Sequence, residues 1–152
     1  MHRSVEIRLE DDTVVSAVGA PDLALHPGDR CVVECRRIPE FGRVARCLER
    51  EGAPPPRGTV PFVLRRATLQ DETKAKENAT LGRMAAKTVR KRAEELKLPL
   101  RVIQVRYSFD RSVLHVSFTS EDRVEFGEWV RILAGDLRTR VEMKPMGVRD
   151  TA

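Results

Sequence analysis

Two runs of alternating apolar and polar residues between Val102 and Thr119 constrain this chain most. Ile103, Val105, Tyr107 and Phe109 alternate with Gln104, Arg106 and Ser108, and Leu114, Val116 and Phe118 alternate with His115, Ser117 and Thr119. A side-chain period of two belongs to a strand with one buried face, so the runs predict a hairpin whose polar side meets water or a ligand. Asp110 and Arg111, or up to Ser112 if the first strand frays, are left for a tight turn. Phe126, Trp129, Val130, Leu133, Ala134 and Leu137 then fall at steps of three and four, which predicts a helix with the only Trp on its buried stripe. Thr139, Val141 and Met143 alternate with Arg140, Glu142 and Lys144 in a closing strand.

Upstream, Thr68 opens a long helix that Leu98-Pro99 stops, with Asp71 placed to complete its amino-terminal cap. Ala75, Ala79, Gly82, Ala86, Val89, Ala93 and Leu96 form a narrow seam that lets it lie close to a covering layer. Its other faces carry Lys74, Lys76, Arg83, Lys87, Arg90, Lys91, Arg92 and Lys97, which reads as a solvated face or a phosphate-facing one. Val60 to Arg66 precedes it as a strand, held to an edge or a strand start by Pro61. From Pro61 to Met146 the order is strand, helix, strand, strand, helix, strand, that of the ferredoxin-like split βαββαβ motif. Its helices cover one sheet face and leave the other open, with Arg106, His115, Arg140 and Lys144 on the open side. Tyr107, Phe109 and Phe118 fall on the inward side, so base stacking in the manner of an RNA-recognition sheet is not expected.

The first third holds four or five short strands. Val5, Ile7 and Leu9 share one face, Thr13 to Val18 follows the Glu10-Asp11-Asp12 turn, Pro27-Gly28-Asp29 launches a Val-rich strand, and Gly42-x-Val44 follows another turn. This pattern predicts a small SH3-like β-barrel. The Pro-rich stretch 51–59 is the one break in composition and marks the expected boundary. The expectation is an α+β protein with a barrel domain over 1–50, a linker over 51–59 and an α+β domain over 60–152.

Lys and Arg number 28 against 23 Asp and Glu, a net charge of +5 that suits a polyanionic partner. No apolar run approaches the roughly 20 residues of a membrane helix, and no signal-peptide pattern opens the chain, so a cytoplasmic place is expected. Cys31, Cys35 and Cys47 make an odd set near His26, open to two readings: buried core thiols or weak metal ligands. There is no Gly-rich phosphate loop, no Gly-x-Ser-x-Gly and no metal-spaced His pair, so a binding protein rather than an enzyme is expected, with no small-molecule substrate. Arg138, Arg140 and Arg149 with Asp150 form the main candidate cluster, because the planar guanidinium grips phosphate or carboxylate with two hydrogen bonds. Alternatively, Arg149 and Asp150 pair with each other or brace the helix end. Arg106, Arg123, Thr139 and Lys144 complete the candidate partner- or RNA-binding set.

Tyr107-Ser108-Phe109-Asp110, Phe118-Thr119, Arg123-Val124-Glu125-Phe126, Leu137 through Glu142 and Gly147-Val148-Arg149-Asp150 follow one another in an order that resembles the carboxyl-terminal domain of the polymerase-suppressor (PSP) family, in its bacterial cell-fate-regulator branch. Gly28 to Glu34, Glu40 to Val44 and Val63 to Thr68 extend the likeness upstream. The resemblance implies a non-enzymatic regulator of RNA metabolism, sporulation regulator-like, that joins small helical regulatory proteins and ribonuclease machinery in mRNA processing. Eukaryotic relatives imply mRNA binding, and the bacterial complex implies an iron–sulfur cluster. Bacterial relatives continue into a cysteine-rich tail, whereas this chain ends at Thr151-Ala152, and none of its cysteines takes an equivalent place, so no cofactor is expected. The primary reading is an adaptor working through protein partners, and the alternatives are direct RNA binding and metal or iron–sulfur binding.

Overall fold

Ten elements build the protein, a computed structural model that describes residues 1–146. In chain order they are β1 (His2–Leu9), β2 (Val14–Gly19), β3 (Arg30–Cys35), β4 (Ile38–Arg50), β5 (Phe62–Arg66), α1 (Leu69–Glu95), β6 (Arg101–Tyr107), β7 (Val113–Thr119), α2 (Gly127–Leu137) and β8 (Arg140–Pro145). They fall into two compact units, Met1–Lys76 and the described chain from Glu77 onward.

The first unit is a closed barrel of order β1-β2-β5-β3-β4. Val5, Ile7 and Leu9 do share its interior, with Ala17, Leu25, Cys31, Val33, Val44 and Val63. The decisive strand is β5. It pairs in parallel with β2 through Val18 and Phe62, and antiparallel with β3 from Cys31–Arg66 to Glu34–Phe62. The barrel expected within 1–50 therefore needs a strand from beyond the Pro-rich stretch. That stretch, 51–59, is a loop between two barrel strands rather than a boundary, tied back by His2 Nδ1 to the Gly52 carbonyl at 3.1 Å and by Arg57 stacked 4.4 Å over the Phe62 ring.

β4 is long because it serves two neighbours, β3 through Ile38 to Arg43 and β1 through Gly42 to Arg50, with a bulge beside Glu6 and Ile7. Bulges and glycines of this kind let a strand bend enough to close a barrel. At the handover sits Gly42, buried, where a methyl group would lie 2.5 Å from Ile7 Cγ2 and 2.9 Å from the Arg8 carbonyl oxygen. Gly42→Ala therefore overpacks the barrel, and a loss of about 1–3 kcal/mol in urea unfolding is expected.

α1 starts on the cap its sequence predicts. Thr68 Oγ1 accepts the Asp71 N–H at 3.1 Å, and the Asp71 carboxylate accepts the Thr68 N–H at 3.0 Å. Arg65 closes the arrangement with two hydrogen bonds to the same carboxylate, at 3.0 and 2.9 Å. The guanidinium, helped by Thr68 and opposed by burial, holds the Asp71 carboxyl down to about 2 from its ordinary 3.8. A depressed carboxylate stabilises the fold above its unfolded value and loses that contribution as pH falls through the folded one. Asp71→Ala should thus cost about 1–2 kcal/mol near neutrality, and thermal melts should show the difference from the parent shrinking as pH falls from about 4 to about 2.

The second unit is a three-stranded sheet of order β6-β7-β8. β6 and β7 form the expected antiparallel hairpin, and β7 and β8 pair in parallel from Val113–Arg140 to Phe118–Pro145, with α2 as the crossover. This corrects the split βαββαβ expectation: β5 is bonded on both sides in the barrel, so β7 and β8 meet directly. Ala85, Val89 and Ala93 of α1 and Trp129 and Leu133 of α2 bury the face bearing Leu114 and Val116. Trp129 is fully buried, donates its indole N–H to the Val89 carbonyl at 3.2 Å and meets Phe118 edge-on. Two details differ from the sequence pattern. A bulge between Val102 and Gln104 buries Val102 and exposes Ile103, and the seam of α1 uses Asn78 and Ala85 while Ala79 is exposed. Among the described residues, no helix is long and apolar enough to cross a membrane.

Candidate partner-binding surface

The β6–β7 turn is held from inside by a helix side chain. Asn78, buried on α1, donates to the Phe109 carbonyl at 2.9 Å and accepts Arg111 Nε–H at 2.6 Å. Ser108, fully buried, donates to Asp110 Oδ1 at 2.9 Å and accepts the Val113 N–H at 3.1 Å, while Ser112 donates to the same Asp110 oxygen through its N–H and its hydroxyl. Partial burial pushes the Asp110 carboxyl up, but the Ser112 and Ser108 donors outweigh it and hold it below the ordinary carboxylate range. Thr139, at the α2–β8 junction, donates to the Arg111 carbonyl at 3.3 Å. Two segments distant in sequence thus meet at one corner, where Arg111 and Arg138 both take left-handed backbone, φ 61° and 51°. Arg138 is the exposed carboxyl-terminal cap of α2.

The polar face of the sheet runs in rows, Gln104–Ser117–Lys144 and Arg106–His115–Glu142, with Val113–Arg140 beyond. It is not the open platform expected: Val113 and Ser117 are buried, and Gln104, Arg106 and His115 are half-buried. Exposed charge survives at the β8 edge, on Arg140 and Lys144. Arg140 is taken up by Glu142 at 2.8 Å, a pair both partners share with solvent and that is worth at most about 1 kcal/mol. Arg123 is exposed in the loop after β7, at the end of that strand opposite the Arg138 corner, so it does not join the cluster. Arg149 and Asp150 lie outside the described residues.

A second charged surface is the side of α1 turned away from its core. Arg83, Lys87, Arg90 and Lys91 are exposed at helical spacing opposite Ala85, Val89 and Ala93, and none has a carboxylate within ion-pair distance among the described residues. Met84, 60% exposed, stands among them. Arg92, grouped with them by sequence, is instead held by Asp136 at 2.7 Å and Glu95 at 3.1 Å.

The three cysteines belong to the barrel core. Cys31 is fully buried, and burial, with Asp29 nearby, pushes its thiol up to about 12. Cys35 and Cys47 pack against the same barrel core, and Cys47 Sγ donates to the Leu25 carbonyl at 3.5 Å. Among the described residues no three or more His, Cys, Asp or Glu side chains converge to hold a metal ion. A thiol kept protonated in an apolar core is a poor thiolate ligand.

Sequence reading missed Asn78 and Arg111. The signal for Asn78 is a polar residue one turn before Gly82 and next to Ala79, on the side of the helix that carries the seam.

Residues 61–146 match the family described as the PSP1 C-terminal conserved region, and the chain belongs to that family. Among curated proteins it is similar to the stage 0 sporulation protein YaaT of Bacillus subtilis (strain 168), at 32% identity over 125 residues, 82% of this chain and 46% of that protein. The chain spans about half the length of this relative. No solved structure matches it.

Asn78→Ala leaves the Phe109 carbonyl without its donor in a buried setting. A loss of about 1–3 kcal/mol in denaturant unfolding is expected, with faster amide exchange concentrated at Arg111 to Val113.

Proposed function

We propose that the chain is a non-enzymatic regulatory adaptor in the cytoplasm, of the sporulation and cell-fate class to which its relative's name points, acting on RNA metabolism by binding protein partners. The observation that carries this reading is the solvent face of α1. Four exposed cations without carboxylate partners form one face of the helix, and the exposed Met84 lies along its edge. Such a face suits an acidic amphipathic helix, whose apolar stripe meets Met84 and whose carboxylates meet Arg83, Lys87, Arg90 and Lys91. Met84 adapts to partner side chains of different shape, and the flanking charges set orientation and encounter rate more than affinity. The reading agrees with the helical partners implied by the family resemblance. It needs no cofactor and no small-molecule substrate.

The β8 edge is a secondary contact. Arg138, Arg140 and Lys144 are exposed there, and the Arg140–Glu142 pair is weak enough to be exchanged for a partner's carboxylate.

The test is capture of partners from lysate with and without RNase, comparing the parent chain with Lys87→Glu/Lys91→Glu. Both positions are exposed, so folding should hold, as thermal melting will verify. The double variant should lose its protein partners at least tenfold, and RNase should leave the parent's partners in place. Partners that leave on RNase treatment, or that the double variant keeps, would overturn the adaptor reading.

A further inference from the structure

The mouth of the barrel opens into a cavity of about 330 Å³, near the lower end of the roughly 300–1,000 Å³ of small-ligand sites. Val5 and Leu25, buried in the barrel core, form its floor. Pro21 and Leu23 line it from a turn closed by the Leu23 N–H to the Ala20 carbonyl at 3.0 Å. Pro54 lines it from the loop that the His2 ring ties down through the Gly52 carbonyl at 3.1 Å.

Two opposite charges share this mouth. Arg3 of β1 and Glu49 of β4 stand directly opposite each other in the sheet, both line the cavity, and both are exposed. Arg3 has the strand face of Val5, Ile7 and Leu9, and Glu49 that of Cys47, so alternation turns both to the inner side at the open end of the barrel. Directly opposite residues hold their Cβ atoms about 4.5–5.5 Å apart, close enough for an ion pair. Glu6 and Arg46, likewise opposite, make one at 2.8 Å. Arg3 and Glu49 make none, and among the described residues neither side chain has another ion pair or hydrogen bond. A cation and an anion thus face each other unjoined over an apolar hollow.

We infer that the barrel mouth binds a free apolar α-amino acid, with its carboxylate on Arg3, its ammonium on Glu49 and its side chain in the cavity over Val5 and Leu25. An α-amino acid carries both charges on one carbon, next to the group to be buried, and the mouth holds their complements a strand's spacing apart above an apolar floor. A fatty acid would set its carboxylate against Glu49 as well as Arg3, and a plain amine would set its charge against Arg3, so each meets a repulsion that the zwitterion avoids. A peptide end offers only one of the two charges. The guanidinium fork takes a carboxylate with two hydrogen bonds, and the Glu49 carboxylate accepts from an ammonium. Because the two side chains are not paired with each other, no internal pair has to break for the ligand to enter. The site lies wholly in the first unit and uses no residue of the α1 face, so it stands or falls separately from the adaptor reading.

The test is an NMR titration of the full chain, following backbone amide shifts, with L-leucine, L-methionine and L-phenylalanine. At least one should shift the amides of Val5, Gly19 and Leu25, and glycine, which leaves the cavity unfilled, should bind about tenfold more weakly than the tightest of the three. The amide and the N-acetyl derivative of that amino acid, each lacking one charge, should also bind about tenfold more weakly. Arg3→Gln and Glu49→Gln change exposed positions, so folding should hold, as thermal melting will verify, and each should weaken the amino acid about tenfold. The losses should be selective: Arg3→Gln leaves the amide, which has no carboxylate, within about twofold of its parent affinity, and Glu49→Gln does the same for the N-acetyl derivative. Absence of shifts at the mouth with all three amino acids, glycine or either derivative binding as tightly as the best amino acid, or equal losses for every ligand in either variant would overturn the inference.

Discussion

The hydrogen bonding of β5 governs both units. Its backbone is bonded to β2 on one side and β3 on the other, and Val63 is buried in the barrel core. A strand has two edges, and once both are occupied it cannot also insert between β7 and β8. Those two therefore pair with each other, in parallel, and the crossover must be a helix on the face already bearing the apolar residues. The barrel's closure, the three-strand width of the second sheet and the parallel pair within it all follow from where five residues find their partners.

α1 carries the chemistry of both units along one helix. Its first turn holds the Arg65–Asp71 pair and the Thr68 cap, which belong to the barrel side of the chain. Further along, the absence of a side chain at Gly82 brings the helix to β6, where even a methyl would stand 3.4 Å from the Val105 carbonyl. Asn78 then reaches the β6–β7 turn, and beyond it the seam of small residues covers the sheet. The face left over is the cationic one. Its charge density follows from what remains after a narrow seam has taken the apolar positions.

Several residues in the runs that resemble the family turn out to be occupied internally. Ser108, Asp110 and Thr139 are all engaged in the hydrogen bonds that fix the β6–β7 turn and its link to the α2–β8 junction. A sequence motif can thus be specific because it builds a corner of the fold rather than because it touches a partner. The exposed cations of α1 lie in a stretch that carries no such motif, and there binding rests on geometry and charge alone.

Local pattern in the sequence determined much of this protein. The alternation of Val5, Ile7 and Leu9, the hairpin after Val102, the Trp129 stripe and the Thr68–Asp71 cap were legible because each depends on residues a few positions apart. The bulge that exposes Ile103 was not, since one inserted residue shifts the phase of a strand without altering its composition. Nor was the choice of Asn78 over Ala79 for the seam, which the carbonyl of Phe109 decides from 31 residues away. Tertiary structure alone decided which sheet receives β5 and which charges stand side by side. Strand pairing is set by backbone groups that every residue shares, so the placing of Arg3 opposite Glu49 has no signature in the order of the chain.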